Sequence, residues 1–154
     1  MKVIFTQGDS WVSKAICWAT KSDISHVAIE IGETVFHSNF LGPRVDLSEN
    51  FNKHARRIVS YETNTRIFET VDLLHFYLQR RHRHYDFMLF LWLACYCVSL
   101  RILGIAPSKN TIWRVSGAYL CTEFVDEFLF DDEQSTIPQE LIDKLEDAGW
   151  VRGR

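Results

Sequence analysis

A chain of 154 residues fits one domain or at most two very small ones, and at that length folding buries about two-thirds of the unfolded surface. Its composition, 47% hydrophobic and 14% aromatic with 7 Gly and 3 Pro, excludes collagen-like, low-complexity and wholly disordered chains. Seventeen Lys and Arg against 20 Asp and Glu leave a net charge of -3, so no global positive field gathers nucleic acid or an anionic membrane.

The first residues, MKVIFTQGDS, lack the apolar run and small-residue cleavage site of a secretory signal, and synthesis in the cytoplasm is expected. Residues 3–6 predict a short strand, after which Gly8-Asp9-Ser10 supplies a turn and a helix N-cap. Trp11, Val12, Ala15, Ile16 and Ala19 recur at helical spacing and leave Ser13, Lys14 and Lys21 to solvent. Cys17 belongs to this helix as a packing thiol. From Ser25 the period changes to two: Val27, Ile29 and Ile31 take one face and His26, Ala28 and Glu30 the other. The pattern stops at Gly32-Glu33-Thr34 and resumes at Val35-Phe36-His37, which predicts a hairpin. Leu41-Gly42-Pro43-Arg44 breaks the alternation, and residues 45–51 read as a loop. Residues 57–61 and 65–68 predict further strands.

Thr70 can cap a helix through Val71, Leu74, Tyr77 and Leu78 that ends in Arg80-Arg81-His82-Arg83-His84, cations suited to a helix C-terminus. The uncharged run 87–100 is shorter than the about 20 residues of a bilayer span and predicts a buried helix over residues 86–103. Residues 108–117 read as a loop or short strand. Phe124, Val125, Phe128 and Leu129 then recur at i, i+1, i+4 and i+5, which places Cys121 in the first turn of a helix. Asp131-Asp132-Glu133 forms an acidic loop, and Pro138 opens a last helix through Leu141, Ile142 and Leu145 to Gly149. No repeat or linker divides the chain, so residues 1–154 are expected to form one domain.

A thiol at a helix start sits among unpaired backbone N–H groups, which lower its pKa. It needs a base, and a histidine opening a half-buried strand, as His26 does, supplies one. His37, on the neighbouring strand, is the candidate orienting partner. With Glu33-Thr34 as the two-residue turn, His37 faces Glu30 and stands four residues from His26, about 13 Å at strand rise. A bulge or a strongly curled sheet would then have to close the gap.

The blocks His26-Val27-Ala28-Ile29-Glu30-Ile31-Gly32, Val35-Phe36-His37-Ser38 and Tyr119-Leu120-Cys121-Thr122-Glu123-Phe124-Val125 resemble the circularly permuted branch of the NlpC-type papain-like hydrolases. That branch includes the lecithin:retinol acyltransferase-like proteins, and its strand histidine precedes the helix-start cysteine, as here. Gly8-Asp9-Ser10, Tyr85-Asp86 and Ile137-Pro138-Gln139-Glu140-Leu141 are similar to features of bacterial and phage members. Ten residues separate His26 from His37, one fewer than the family spacing. The resemblance implies an α+β, papain-like fold in permuted order: a small curled antiparallel sheet packed against the helix that bears the nucleophile. It implies Cys121 as nucleophile, His26 as base and His37 as the polar third member. It also implies a thiol peptidase or amidase acting on cell-wall peptides, with lipid acyl transfer or hydrolysis as the alternative.

Tyr119 is a candidate oxyanion donor beside the Cys121 N–H, with packing as its other role. Glu123 is a candidate substrate contact, although the dipole already explains a carboxylate in a first helical turn. Cys95-Tyr96-Cys97 lacks zinc spacing and reads as helix packing, while His82 and His84 lie among cations that oppose a metal. No metal and no cofactor is expected. Neither a phosphate-binding glycine loop nor a nucleic-acid module is present, so the expected partner is a peptide or acyl substrate and not nucleic acid. Weak membrane or lipid contact through the apolar run is a lesser expectation. A catalytically silent component of a phage virion or tail is the reading from another class, and, whichever reading holds, association with a virion or delivery to the cell wall is the expectation for where the protein acts after its synthesis.

Overall fold

The computed structural model describes residues 1–63, 70–85, 91, 95, 98–99, 102, 118–131 and 137–153. Alternating apolar positions build β1 (Lys2–Gly8), β2 (His26–Ile31), β3 (Thr34–Asn39), β4 (Gly42–Leu47) and β5 (Ala55–Glu62). With β8 (Val151–Arg152) they form a six-stranded sheet in the order β4-β3-β2-β1-β5-β8, each neighbour antiparallel. A separate parallel pair joins β6 (His84–Tyr85) to β7 (Ala118–Tyr119). Five helices with defined bounds accompany the strands among the described residues: α1 (Trp11–Thr20), α2 (Ser48–Asn52), α3 (Thr70–Arg80), α4 (Cys121–Phe130) and α5 (Pro138–Asp147). The architecture is α+β.

The pleat sends successive side chains to opposite faces. On one face Val3, Phe5, Val27, Ile29 and Phe36 meet Leu73 of α3, Phe124 and Phe128 of α4, and Leu141 and Leu145 of α5 in the main apolar cluster. On the other, Ile4, Ala28 and Val35 lie under Phe51 of the short helix α2. The second cluster is small because His26, Glu30 and His37 occupy neighbouring positions of that face.

Four expectations are corrected. Residues 45–51 are not a loop: β4 runs through Gly42–Leu47 and α2 follows. Gly42 takes a positive φ of 100° and so starts the strand where other residues would be strained. Pro43 is tolerated because β4 is the sheet edge, where a missing N–H breaks no ladder. Helix α1 is capped by Ser10, whose Oγ accepts from Ser13 N at 3.1 Å, but Trp11 is 80% exposed and Ala15 faces solvent too. The inward stripe of α3 is Leu73, Phe76 and Tyr77, whereas Val71, Leu74 and Leu78 are exposed. Phe76 wins the inner position because its ring packs edge-on to Phe124 and Phe128, at 5.3 and 5.2 Å between centroids, while Arg80 covers it and pairs with Glu127. Cys95 is exposed and not a packing thiol. The strand expected over residues 65–68 and the segment 108–117 lie outside the described residues. So does most of the apolar helix over 86–103, of which Leu91, Cys95, Val98, Ser99 and Ile102 are helical. No helix among the described residues is long and apolar enough to cross a membrane.

Candidate active site

Cys121 is the first residue of α4, preceded by Leu120 in extended backbone (φ -80°, ψ 162°). Glu123 folds back so that its Oε2 accepts from the Leu120 N–H at 2.9 Å, the return half of a capping box. Glu123 is wholly buried and does not line the cavity at Cys121, so its position is that of a helix cap and not of a substrate contact. With Leu120 N–H satisfied in this way, the N–H groups of Val27, Cys121 and Thr122 are left directed at the thiol.

Burial nevertheless pushes the Cys121 thiol up to about 11, and the three N–H groups only partly oppose it. The expectation of a thiol held below its ordinary value is therefore corrected. The helix start lowers the pKa, as the dipole argument requires, but desolvation of the sulfur outweighs it.

The hairpin register differs from the expected one. Ile31 pairs with Thr34, so Gly32-Glu33 is the turn, and Gly32 takes the positive φ of 60° that such a turn needs. His37 then faces Ala28, two residues from His26 and on the same face. No bulge is required. His26 Nε2 lies 2.9 Å from His37 Nδ1, and His37 Nε2 lies 2.9 Å from Asp46 Oδ2. The ring of Phe51 packs against both imidazoles, at 6.0 Å from His26 and 5.1 Å from His37 between centroids.

This chain determines where the protons sit. A carboxylate only accepts, so His37 carries its proton on Nε2, and neutral His37 then presents Nδ1 as an acceptor. His26 must donate from Nε2, which leaves its Nδ1 without a proton and able to act as a base. Burial, and then the neighbouring His37, lower His26 to about 3. Burial also lowers His37, against the opposing pull of Asp46. Both rings are neutral at physiological pH.

His26, His37, Asp46 and Cys121 line one cavity of about 540 Å³. Val12 and Ile16 of α1, Phe40 of the β3–β4 turn and Phe51 give it apolar walls, and Asp9, Ser10, Asn39, Asn50 and His54 add polar groups. Of the candidate residues, Cys121, His26 and His37 are thus brought together, Glu123 is not, and the Tyr119 side chain lies outside the described atoms. No protein-family model matches the chain, and no curated protein matches it. Among the described residues no three His, Cys, Asp or Glu side chains are arranged to hold a metal ion.

Asp46 is the residue that sequence reasoning missed. The signal was present: Val45-Asp46-Leu47 continues the alternation of the preceding strands, with a carboxylate where β4 crosses the histidine pair. It was hidden because Gly42-Pro43 resembles a chain break unless the strand is known to be an edge.

Proposed function

We propose that this protein is a cysteine-dependent hydrolase of amide bonds, with cell-wall peptides as the substrate class, built on a circularly permuted papain-like plan. The observation that carries the reading is the Asp46–His37–His26 relay at the cavity of a helix-start cysteine. A core of packing histidines has no reason to orient three ionisable groups in series so that the last presents a bare imidazole nitrogen.

In the mechanism, Cys121 Sγ attacks the carbonyl carbon as its proton passes to His26 Nδ1. Burial opposes charging either group alone, but the transfer charges both at once, and their attraction offsets part of that cost. His37, fixed by Asp46, accepts from His26 Nε2–H and stabilises the imidazolium. Collapse of the tetrahedral adduct breaks the C–N bond, and the leaving amine takes the proton from His26. A thioester remains on Cys121. Water then attacks it with His26 again as base, releasing the acid and restoring the thiol.

The second reading, an acyl hydrolase or acyltransferase acting on lipids, draws on Phe40, which lines the cavity while half exposed beside the more exposed Leu41. The test offers purified protein both cell-wall peptide fragments and short-chain phospholipids. Release of new amines from the fragments, abolished by Cys121→Ala, is the expected result. Cleavage of the lipid alone would replace this reading with the second, and turnover of neither would leave a silent structural component.

A further inference from the structure

Among the described residues, Thr6 Oγ1, Ser38 Oγ and Glu127 Oε2 are buried polar side-chain atoms without a hydrogen-bond partner. Two of them, the hydroxyls of Thr6 and Ser38, belong to residues at 0% exposure that line the Cys121 cavity. Sealing a hydroxyl away from water with nothing to bond costs stability, and alanine would fit either place without that cost. A polar partner that arrives with the substrate accounts for such a group.

The two hydroxyls sit differently. Thr6 pairs with His26 across β1 and β2 and so shares the face of the imidazoles. Ser38 follows His37 on β3 and points the other way, to the face on which α4 packs. The ladder between β2 and β3 ends at Ala28 and His37, so the next residues beyond it on the two strands are Ser38 and Val27, whose N–H is directed at the Cys121 sulfur. An unpaired O–H donor therefore lies on the nucleophile's side of the sheet.

We propose that Ser38 is a catalytic residue of this site, its Oγ–H donating to the oxyanion formed when Cys121 adds to a substrate carbonyl. The inference rests on the acyl-enzyme reading above. As the S–C bond forms, the carbonyl π pair moves onto oxygen and Ser38 holds it by a hydrogen bond, with no proton transferred. When the C–N bond breaks, the pair returns to the carbonyl and the hydroxyl is released. Such a donor is worth most where water is excluded and the group is already in place.

The test compares two reactions of the same sulfur in the wild type and Ser38→Ala. Acylation by p-nitrophenyl acetate passes through an oxyanion, whereas alkylation by iodoacetamide does not. The expected result is a fall of about 10²-fold in the acylation rate with alkylation unchanged and a melting temperature equal or higher, since the variant removes an unsatisfied group. Unchanged acylation, or an equal fall in both reactions, overturns the assignment of Ser38 while leaving the acyl-enzyme reading intact. A wild-type protein that alkylates at Cys121 but is not acylated overturns that reading, and this one with it.

Discussion

The two faces of the sheet are built from the same strands yet hold opposite chemistry. On one, Phe5, Ile29, Phe36, Phe124 and Leu141 exclude water and contribute stability. On the other, the same alternation delivers His26, Glu30 and His37 beside only a few apolar side chains, and the polar groups are matched in chains. Glu30 accepts from both terminal nitrogens of Arg57 and from Ser48, and His26, His37 and Asp46 form the relay. The contrast teaches that a period of two separates scaffold from chemistry at no cost in chain length. The cavity lies at the start of β2, where His26 of that strand and Cys121, the first residue of α4, both line it.

Substitutions on the two faces should therefore have separable effects. The largest is expected from Asp46→Asn, which removes the group that sets the proton positions in both rings. Acylation of Cys121 should fall about 10³- to 10⁴-fold with little change in the denaturation midpoint, and a change confined to stability would erase the contrast. Phe124→Ala reverses the pattern: about 3–5 kcal/mol of stability lost in denaturant titration, with the molecules that remain folded still acylated at the wild-type rate. An equal loss of rate would mean that the core face also tunes the site.

Acid should sharpen the difference. The folded pKa of His26 is lowered from 6.5 to about 3, so its contribution to stability is complete above 6.5 and is lost as pH falls from 6.5 towards 3. The slope for this one group reaches about 1.4 kcal/mol per pH unit. Denaturation midpoints measured across that window should flatten in His26→Gln. The smallest effect belongs to Glu123→Gln, which keeps the shape of the helix cap and weakens its hydrogen bond, costing about 1 kcal/mol with no change in substrate preference. Altered preference would return Glu123 to the cavity.

Much of the site is legible along the chain. Cys121 at a helix start follows from the apolar spacing behind it, and the common face of His26 and His37 follows from the alternation. Their separation does not, because placing the turn at Glu33-Thr34 instead of Gly32-Glu33 moves the opposing residue by two and doubles the gap. Asp46 was lost with β4, since the tolerance of Pro43 depends on the strand's place in the sheet and not on its own residues. The inner stripe of α3 is hidden for a related reason: Val71, Leu74 and Leu78 have helical spacing of their own, and only the aromatic partners supplied by α4 decide which stripe is buried. The direction of the Cys121 shift is not legible along the chain, because the helix start is local whereas desolvation of the sulfur belongs to the whole fold.

The central claim is that a bare His26 nitrogen generates the Cys121 nucleophile. It is tested most directly by treating the protein with an activated ester and locating the acyl group by mass spectrometry, in the wild type and in His26→Ala. The account predicts a single thioester on Cys121, with Cys17, Cys95 and Cys97 unmodified, that becomes undetectable on the same timescale in the variant. Acylation of Cys121 at the same rate without the imidazole, or acylation spread over the four thiols, would contradict it.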